Sequence, residues 1–202
     1  MSRTRGSRTE PTPPTTRMAV DLVYESHSTT TDNEAGIATG RLPGRLSDLG
    51  RRQAAELGER RRGGGFAAVF TSDLHRAVET AALAFPDGRP PVHQDRRLRE
   101  CDYGELNGGP AAHVAARRTD CLDVPFPGGQ SYRQVVRATA DFLREVAATY
   151  DGRRILLIAH SANRWALDFL LTGVPLEEIL RDPPAWRPGW HYTVPAGWAP
   201  PP

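Results

Sequence analysis

Residues 19–33 read AVDLVYESHSTTTDN, an apolar run that passes directly into a polar one. The first part, Ala19–Tyr24, is rich in valine and leucine, which predicts a buried β-strand. The second part places Ser26, His27 and Ser28 just after that strand. Because ligands of open α/β sheets bind beyond the carboxyl ends of the strands, we expect chemistry to begin at this point.

The rest of the chain alternates between strand-like and helix-like segments. Short apolar runs predict strands, and apolar residues at helical spacing predict helices. On these patterns the further strands are Ala67–Thr71, a short one near Val92, Arg154–Ala159 and Trp190–Val194, and the main helices begin at Ser47, Asp73, Ser131 and Ser161. This alternation predicts an α/β fold with a mostly parallel sheet that is covered on both faces.

Polar side chains follow three of the predicted strands. His27 comes after the first strand, Ser72 and Arg76 come after the second, and His160 and Ser161 come after the strand that reads RILLIA. The carboxyl ends of parallel strands lie at one edge of a sheet, so these side chains can converge. The sequence therefore predicts one site built from distant parts of the chain.

Two histidines, an arginine and a carboxyl group at one site suit phosphoryl transfer. A neutral imidazole such as His27 can attack phosphorus and form a covalent intermediate. Arg76 and His160 can hold the phosphoryl oxygens, because a guanidinium fork matches phosphate geometry. The departing oxygen needs a proton, which Glu100 can supply if burial keeps that carboxyl protonated.

Five stretches resemble the motifs of one family, the histidine phosphatase superfamily, which includes the phosphoglycerate mutases. They are SHSTTTDN (26–33), LSDLGRRQAAELGERR (46–61), TSDLHRAVETA (71–81), LRECDYGELNG (98–108) and IAHSA (158–162). The resemblance covers nearly all of residues 19–194, and the motifs occur in the family's order.

The resemblance implies a three-layer α/β sandwich with a mostly parallel central sheet, as in phosphoglycerate mutases. We expect one histidine phosphatase domain at 19–196, in which about 102–130 form a small lid-like insertion. Residues 1–18 are rich in Pro, Thr, Ser and Arg, and we expect a disordered tail there. We expect a frayed end at 197–202.

The resemblance also implies residue roles. It assigns His27 as nucleophile, Glu100 as proton donor and His160 as the second catalytic histidine. It assigns phosphate or substrate binding to Arg76, Ser28, Thr30, Asn33 and Ser161. The expected activity is that of a histidine acid phosphatase-type hydrolase, a metal-independent phosphomonoesterase that acts on a small phosphorylated metabolite without a cofactor.

The chain departs from the family at the nucleophile itself. Ser26 replaces the family's arginine, and Ser28 replaces its glycine. Loss of one charge-assisted phosphate contact costs about 1.5–3 kcal/mol if nothing replaces it. Arg45 or Arg164 are candidates to fill the vacancy, although an arginine at the protein surface is the commoner reading of Arg164. The alternative function is a fold-retaining member with lost or altered chemistry, such as a phosphate-ester binding protein.

The composition of the chain excludes several classes of function. All 26 basic residues are arginine, the net charge is only +2, and no apolar run has membrane-spanning length. We therefore expect no nucleic-acid and no membrane partner, and the absence of lysine excludes a Walker-type nucleotide site. Cys101 and Cys121 show no metal-ligand spacing and suit reduced thiols in a cytoplasmic protein. A homodimer is left open.

One other enzyme class shares part of this pattern. Ala159–Asn163 lies between a predicted strand and helix, as the nucleophile elbow of an α/β-hydrolase does. Both elbow glycines are missing, and too little chain follows Ser161 for the later strands and catalytic residues of that fold. The phosphoryl-transfer reading is therefore preferred.

Overall fold

The computed structural model describes residues 18–200, so residues 1–17 of the tail predicted at residues 1–18, and the last two residues of the chain, lie outside the described part. The strands are β1 (Val20–Ser26), β2 (Ala68–Thr71), β3 (Val92–Gln94), β4 (Arg154–Ala159) and β5 (Trp190–Val194). The helices are α1 (Thr31–Glu34), α2 (Asp48–Arg61), α3 (His75–Ala84), α4 (Ala111–Arg117), α5 (Tyr132–Thr149), α6 (Ser161–Leu167) and α7 (Leu176–Arg181).

The five strands form one sheet in the order β3-β2-β4-β1-β5. The first four strands along the chain run parallel, and β5 pairs with β1 in the antiparallel direction. The carboxyl ends of the adjacent strands β2, β4 and β1 therefore lie side by side at one edge of the sheet. This confirms the predicted α/β class with its mostly parallel sheet.

The central strand β4 is apolar throughout because both of its faces are covered. Ile155 and Leu157 pack into the larger core, which includes residues of α5, α6 and α7. Leu156 and Ile158 point the other way and pack into a smaller core with residues of α2 and α3. The three layers follow directly from this alternation, since successive side chains of a strand lie on opposite faces.

Side-chain caps fix where two long helices begin. The Ser47 hydroxyl accepts a hydrogen bond from Gly50 N at 3.2 Å, as the sequence predicted for α2. Ser131 and Gln134 form a reciprocal capping box at the start of α5, in which each side chain accepts from the other's main-chain N–H. Gly50 also lies directly against the Thr29 carbonyl, where a Cβ would not fit. Helix α2 is thereby pressed against the segment that carries His27.

The segment expected to form a lid-like insertion is anchored in the core. It contains helix α4, which the sequence did not predict, and it buries Val114, Cys121 and Phe126. Near the C-terminus, Trp198 also packs partly buried against the core, and its main-chain N–H donates to Pro195 O at 3.1 Å. The lid and the frayed end stay predictions, and these contacts show where each segment is held.

Candidate active site

Two of the predicted histidines lie next to each other at the sheet edge. His27 follows β1 and extends the pairing with β4, because its N–H donates to Ala159 O at 2.9 Å. His160 follows β4 directly. The centres of the two imidazole rings are 5.0 Å apart. The parallel pairing of β1 with β4 therefore brings together residues that are far apart in sequence.

The contacts of His27 define which ring nitrogen carries its hydrogen. Nδ1 lies 2.8 Å from the Ser28 carbonyl oxygen, which can only accept, so Nδ1 holds the hydrogen. Arg76 Nε donates to Nε2 at 3.2 Å, so Nε2 presents a lone pair. Burial, together with the Arg76 charge, lowers the pKa of His27 to about 3. The ring is thus held neutral, in the form that a nucleophile requires.

Arg76 lies in the first turn of α3 and is only 2% exposed. Its Nη2 donates to Gly40 O at 2.8 Å, and its Nε contacts His27. Its Nη1 is buried and makes no hydrogen bond within residues 18–200. A buried donor without a partner is costly, so this group is available to an anion bound at the site.

His160 is fixed from two sides. Ser72 Oγ lies 2.6 Å from its Nε2, and the Tyr24 hydroxyl donates to its main-chain oxygen at 2.7 Å. Its Nδ1 is buried and has no partner in the described part of the chain. Burial first, and then the charge of Arg76, holds the pKa of His160 well below its ordinary value, so this ring is neutral too.

Glu100 is 7% exposed and is held by main-chain donors. Its Oε1 accepts from Cys101 N at 2.8 Å and from Ala162 N at 3.3 Å. Burial raises the pKa of this carboxyl, although the two N–H groups and the Arg76 charge act in the opposite direction. The site therefore contains a carboxyl group shifted towards its protonated form, as the proposed proton donor needs.

The four predicted binding residues with hydroxyl or amide groups have different surroundings. Ser28 is buried, and its N–H donates to Thr80 Oγ1 at 3.0 Å. Thr30 and Asn33 form a capping box at the start of α1, so the Thr30 hydroxyl already accepts from Asn33 N. Asn33, Ser28 and the exposed Ser161 line a cavity beside His27. Thr30 therefore caps helix α1, a structural role that its position in the motif did not reveal.

Neither arginine suggested as a substitute for the missing one contacts the histidines. Arg164 is 4% exposed, which makes the surface reading wrong. It pairs with Asp168 at 2.8 Å and lies over the Trp190 ring at 5.0 Å. Arg45 is exposed on the chain that leads into α2. Arg76 is the cation whose charge acts on both imidazoles.

Sequence reasoning missed the residues on the far side of the cavity. The cavity measures about 420 Å³, and its wall includes Gln53, Glu56, Arg60 and Trp186. Three of them lie on one face of α2, since helix neighbours recur every three or four positions. Gln53 lies four residues from both Leu49 and Leu57, so its position in the sequence indicated only a helix.

The described residues lack two features. Between residues 18 and 200, no group of three or more His, Cys, Asp or Glu side chains is placed to hold a metal ion. Within the same range, none of the helices combines the length and the apolar character needed to cross a bilayer.

A parallel sheet that presents two neutral imidazoles, a buried guanidinium and a carboxyl of raised pKa defines an α/β protein with a candidate phosphate site. The chain belongs to the histidine phosphatase superfamily, branch 1, whose family model matches residues 26–185. The family predicted from the motifs is therefore confirmed.

Its relatives include both mutases and phosphatases. A 2,3-bisphosphoglycerate-dependent phosphoglycerate mutase of Methylobacterium sp. (strain 4-46) is 33% identical over 173 residues, 78% of this chain and 83% of that protein. A metal-independent phosphoserine phosphatase of Arabidopsis thaliana is 31% identical over 165 residues, 75% of this chain and 68% of that protein. The solved structure of Bacillus stearothermophilus YhfR is 25% identical and superposes with a TM-score of 0.75, covering 84% and 87% of the two chains.

Proposed function

We propose that the protein is a metal-independent phosphomonoesterase that hydrolyses a small phosphorylated metabolite through a phospho-His27 intermediate. The observation that carries the proposal is the orientation of His27. Arg76 Nε donates to its Nε2 at 3.2 Å, so a phosphoryl group that displaces this hydrogen bond would meet both a nucleophile and a cation.

In the first step, His27 Nε2 attacks phosphorus and the bond from phosphorus to the ester oxygen breaks. Glu100 gives its proton to the departing alcohol oxygen, and its raised pKa favours the protonated form that this step needs. Arg76 Nη1 is the donor for the phosphoryl oxygens, since it is buried and makes no other hydrogen bond within the described residues.

His160 would supply a second, uncharged donor. The Ser72 hydroxyl accepts from Leu74 N at 3.3 Å, which leaves its own hydrogen free to bond His160 Nε2. The hydrogen of the neutral ring then lies on Nδ1, the nitrogen without a partner in the described chain. We assign this N–H to a phosphoryl oxygen.

In the second step, water attacks the phosphohistidine. Glu100, now a carboxylate, takes a proton from that water, and the bond between phosphorus and Nε2 breaks. Inorganic phosphate leaves, and His27 and Glu100 return to their initial protonation states. Every atom and proton in this cycle comes from the ester, the water or the named side chains, so the cycle requires no metal ion.

One observation favours a second candidate, a fold-retaining phosphate-ester binding protein. A phosphate monoester carries close to two negative charges near neutral pH, whereas Arg76 is the cation whose charge acts on both imidazoles. Ser26 contributes a hydroxyl where the family has a guanidinium. Such a site can still bind an ester, but its turnover would be slow.

The deciding experiment measures phosphate release from p-nitrophenyl phosphate and from a panel of small monophosphates in the presence of EDTA. The protein is compared with His27→Ala and with the matched control His113→Ala, an exposed histidine of α4. We expect release by the wild type and the control, and none by His27→Ala. Acid-quenched protein should carry phosphate on His27.

Two other outcomes would contradict the proposal. An isomerised ester without phosphate release would indicate a mutase, which passes the phosphoryl group to a second hydroxyl. Ester binding without release or a trapped phosphohistidine would instead support the binding protein.

A further inference from the structure

The cavity beside His27 has more room than a phosphoryl group needs. Its volume of about 420 Å³ falls in the range of small-molecule sites. His27, Ser26, Ser28 and Ser161 line it together with side chains of helix α2 and with Trp186. The space is therefore continuous with the proposed site of attack and can receive the alcohol part of an ester.

Helix α2 supplies one wall of this space. Gln53, Glu56 and Arg60 all line the cavity and are three and four residues apart, so they form one helical face. At 1.5 Å of rise per residue, this face extends about 10 Å from Gln53 to Arg60. That length matches a six-membered ring with its substituents better than a three-carbon chain.

The wall offers donors and acceptors in alternation. Gln53 Oε1 accepts a hydrogen bond from Thr29 N at 3.0 Å, which leaves the amide NH₂ of Gln53 free to donate to a ligand. Glu56 presents an exposed carboxylate that accepts, and Arg60, whose side chain is 40% exposed, donates again. A hydroxyl group both donates and accepts, so a chain of neighbouring hydroxyls fits this alternation.

The charges of the wall balance. Glu25 is buried, and Arg61 Nε already binds it at 2.7 Å, so this carboxylate is neutralised within the protein. Arg60 approaches Glu25 only to 3.8 Å. The remaining exposed pair, Glu56 and Arg60, carries one charge of each sign. A wall without net charge favours an uncharged ligand group over an acidic or a basic one.

Trp186 lines the same cavity and is 65% exposed. A large indole left in water beside a polar cavity is unusual, because tryptophan is normally well buried. The flat apolar ring has a polar N–H at its rim, and it can cover a ligand face made of C–H groups. Sugar rings combine such a face with a rim of hydroxyls.

We propose that this cavity binds the alcohol part of the substrate, and that this alcohol is a neutral, hydroxyl-rich ring, namely a sugar. The ring lies against Trp186, and its hydroxyls bond Gln53, Glu56 and Arg60. The inference rests on the proposed phosphatase function, because the phosphoryl end of the sugar phosphate is placed at His27.

The test compares kcat/KM for hexose and pentose monophosphates with kcat/KM for glycerol 3-phosphate and phosphoserine. We expect the best sugar ester to exceed glycerol 3-phosphate by about tenfold or more, as one or two hydrogen bonds to charged groups would provide. Trp186→Ala and Glu56→Gln should each lower kcat/KM for that sugar ester by about tenfold. Both should leave glycerol 3-phosphate within about twofold of the wild type.

Glu59→Gln is the matched control, since Glu59 is exposed on α2 and lies outside the cavity wall. It should change neither substrate, and Trp186→Phe should retain most of the sugar preference. The proposal fails if sugar and glycerol esters are hydrolysed equally well. It also fails if the Trp186 and Glu56 variants lower both kinds of ester alike.

A wild type that hydrolyses no ester would overturn the phosphatase function, and ligand binding would then test the sugar site separately. Calorimetric titration with hexose phosphates and with inorganic phosphate would then decide. Tighter binding of a sugar ester that Trp186→Ala abolishes supports the sugar site. Equal affinity for sugar esters and inorganic phosphate overturns it.

Discussion

His27 separates two regions of contrasting character. On one side, Arg76, His160 and Glu100 are buried and bonded to main-chain or side-chain partners of the scaffold. On the other side, Glu56 and Trp186 are exposed around an open cavity. Chemistry needs groups of fixed protonation and position, whereas recognition of a ligand needs groups that water can leave. The contrast suggests that one region acts on the phosphoryl group and the other selects the molecule that carries it.

Removal of the buried Arg76 guanidinium should have the largest effect on activity. Arg76→Ala should lower kcat/KM by about a thousandfold for every ester, because one preorganised donor at developing charge is worth about 10²–10³. Phosphate release from p-nitrophenyl phosphate measures the effect. Arg52→Ala, an exposed change on α2, serves as control. A loss confined to sugar esters would contradict the division of tasks.

Loss of the acid should come next in size. Glu100→Gln should lower kcat by about a hundredfold, since general acid catalysis contributes about 10²–10⁴. Wild-type activity should fall as pH rises through the raised pKa of Glu100, because the protonated form is the active one. On the acid side it should persist until pH approaches about 3, where His27 becomes protonated.

A pH profile of kcat/KM for the wild type and Glu100→Gln checks both limits. The alkaline decline should disappear in Glu100→Gln. If that decline is unchanged in the variant, Glu100 is not the titrating acid.

Addition of a positive charge at Ser26, between the two regions, should have a smaller effect and should raise kcat/KM. Ser26→Arg should raise kcat/KM and tighten inhibition by inorganic phosphate by about tenfold, the value of one charge-assisted contact. The cavity that Ser26 borders gives the longer side chain room. Ser26→Ala is the control for loss of the hydroxyl. If Ser26→Arg has no effect, another group already supplies the missing contact.

The smallest effect is expected at Ser72. Ser72→Ala removes the hydroxyl that lies 2.6 Å from His160 Nε2, so His160 should lose its fixed hydrogen position. A neutral hydrogen bond contributes about 0.5–1.5 kcal/mol, so kcat should fall by about fivefold. KM for small esters should stay the same. Ser72→Thr should restore kcat, whereas a merely structural serine would show losses of stability without this recovery.

The convergence of the buried residues could be predicted from the sequence, because each motif has a fixed spacing from the end of a strand, whereas their catalytic roles stay predictions. A strand must end before His27, Ser72 or His160 can point into the site, and each of these residues follows an apolar run. The boundaries were less accurate. Strand β1 runs on to Ser26, past the predicted end at Tyr24, because its pairing with β4 and not its own hydrophobicity sets its length.

The residues around the open cavity could not be predicted from the sequence, for a physical reason. Trp186 comes from the loop before β5 and Glu56 from α2, so only tertiary folding brings them to one cavity. The burial of Arg164 could not be predicted for the same reason. Its position one turn into α6 gave no sign of its pairing with Asp168, and the pair lies where helix α6 continues into a π-helical turn.

The strand order has a consequence for association between molecules. Both outer strands are short and are bounded by proline, since Pro90 and Pro91 precede β3, and Pro188 and Pro195 flank β5. Proline lacks the N–H that would extend a ladder, and short edges give an incoming strand little to pair with. The sheet is therefore poorly suited to recruit strands from neighbouring chains, which favours a protein that stays dispersed when concentrated.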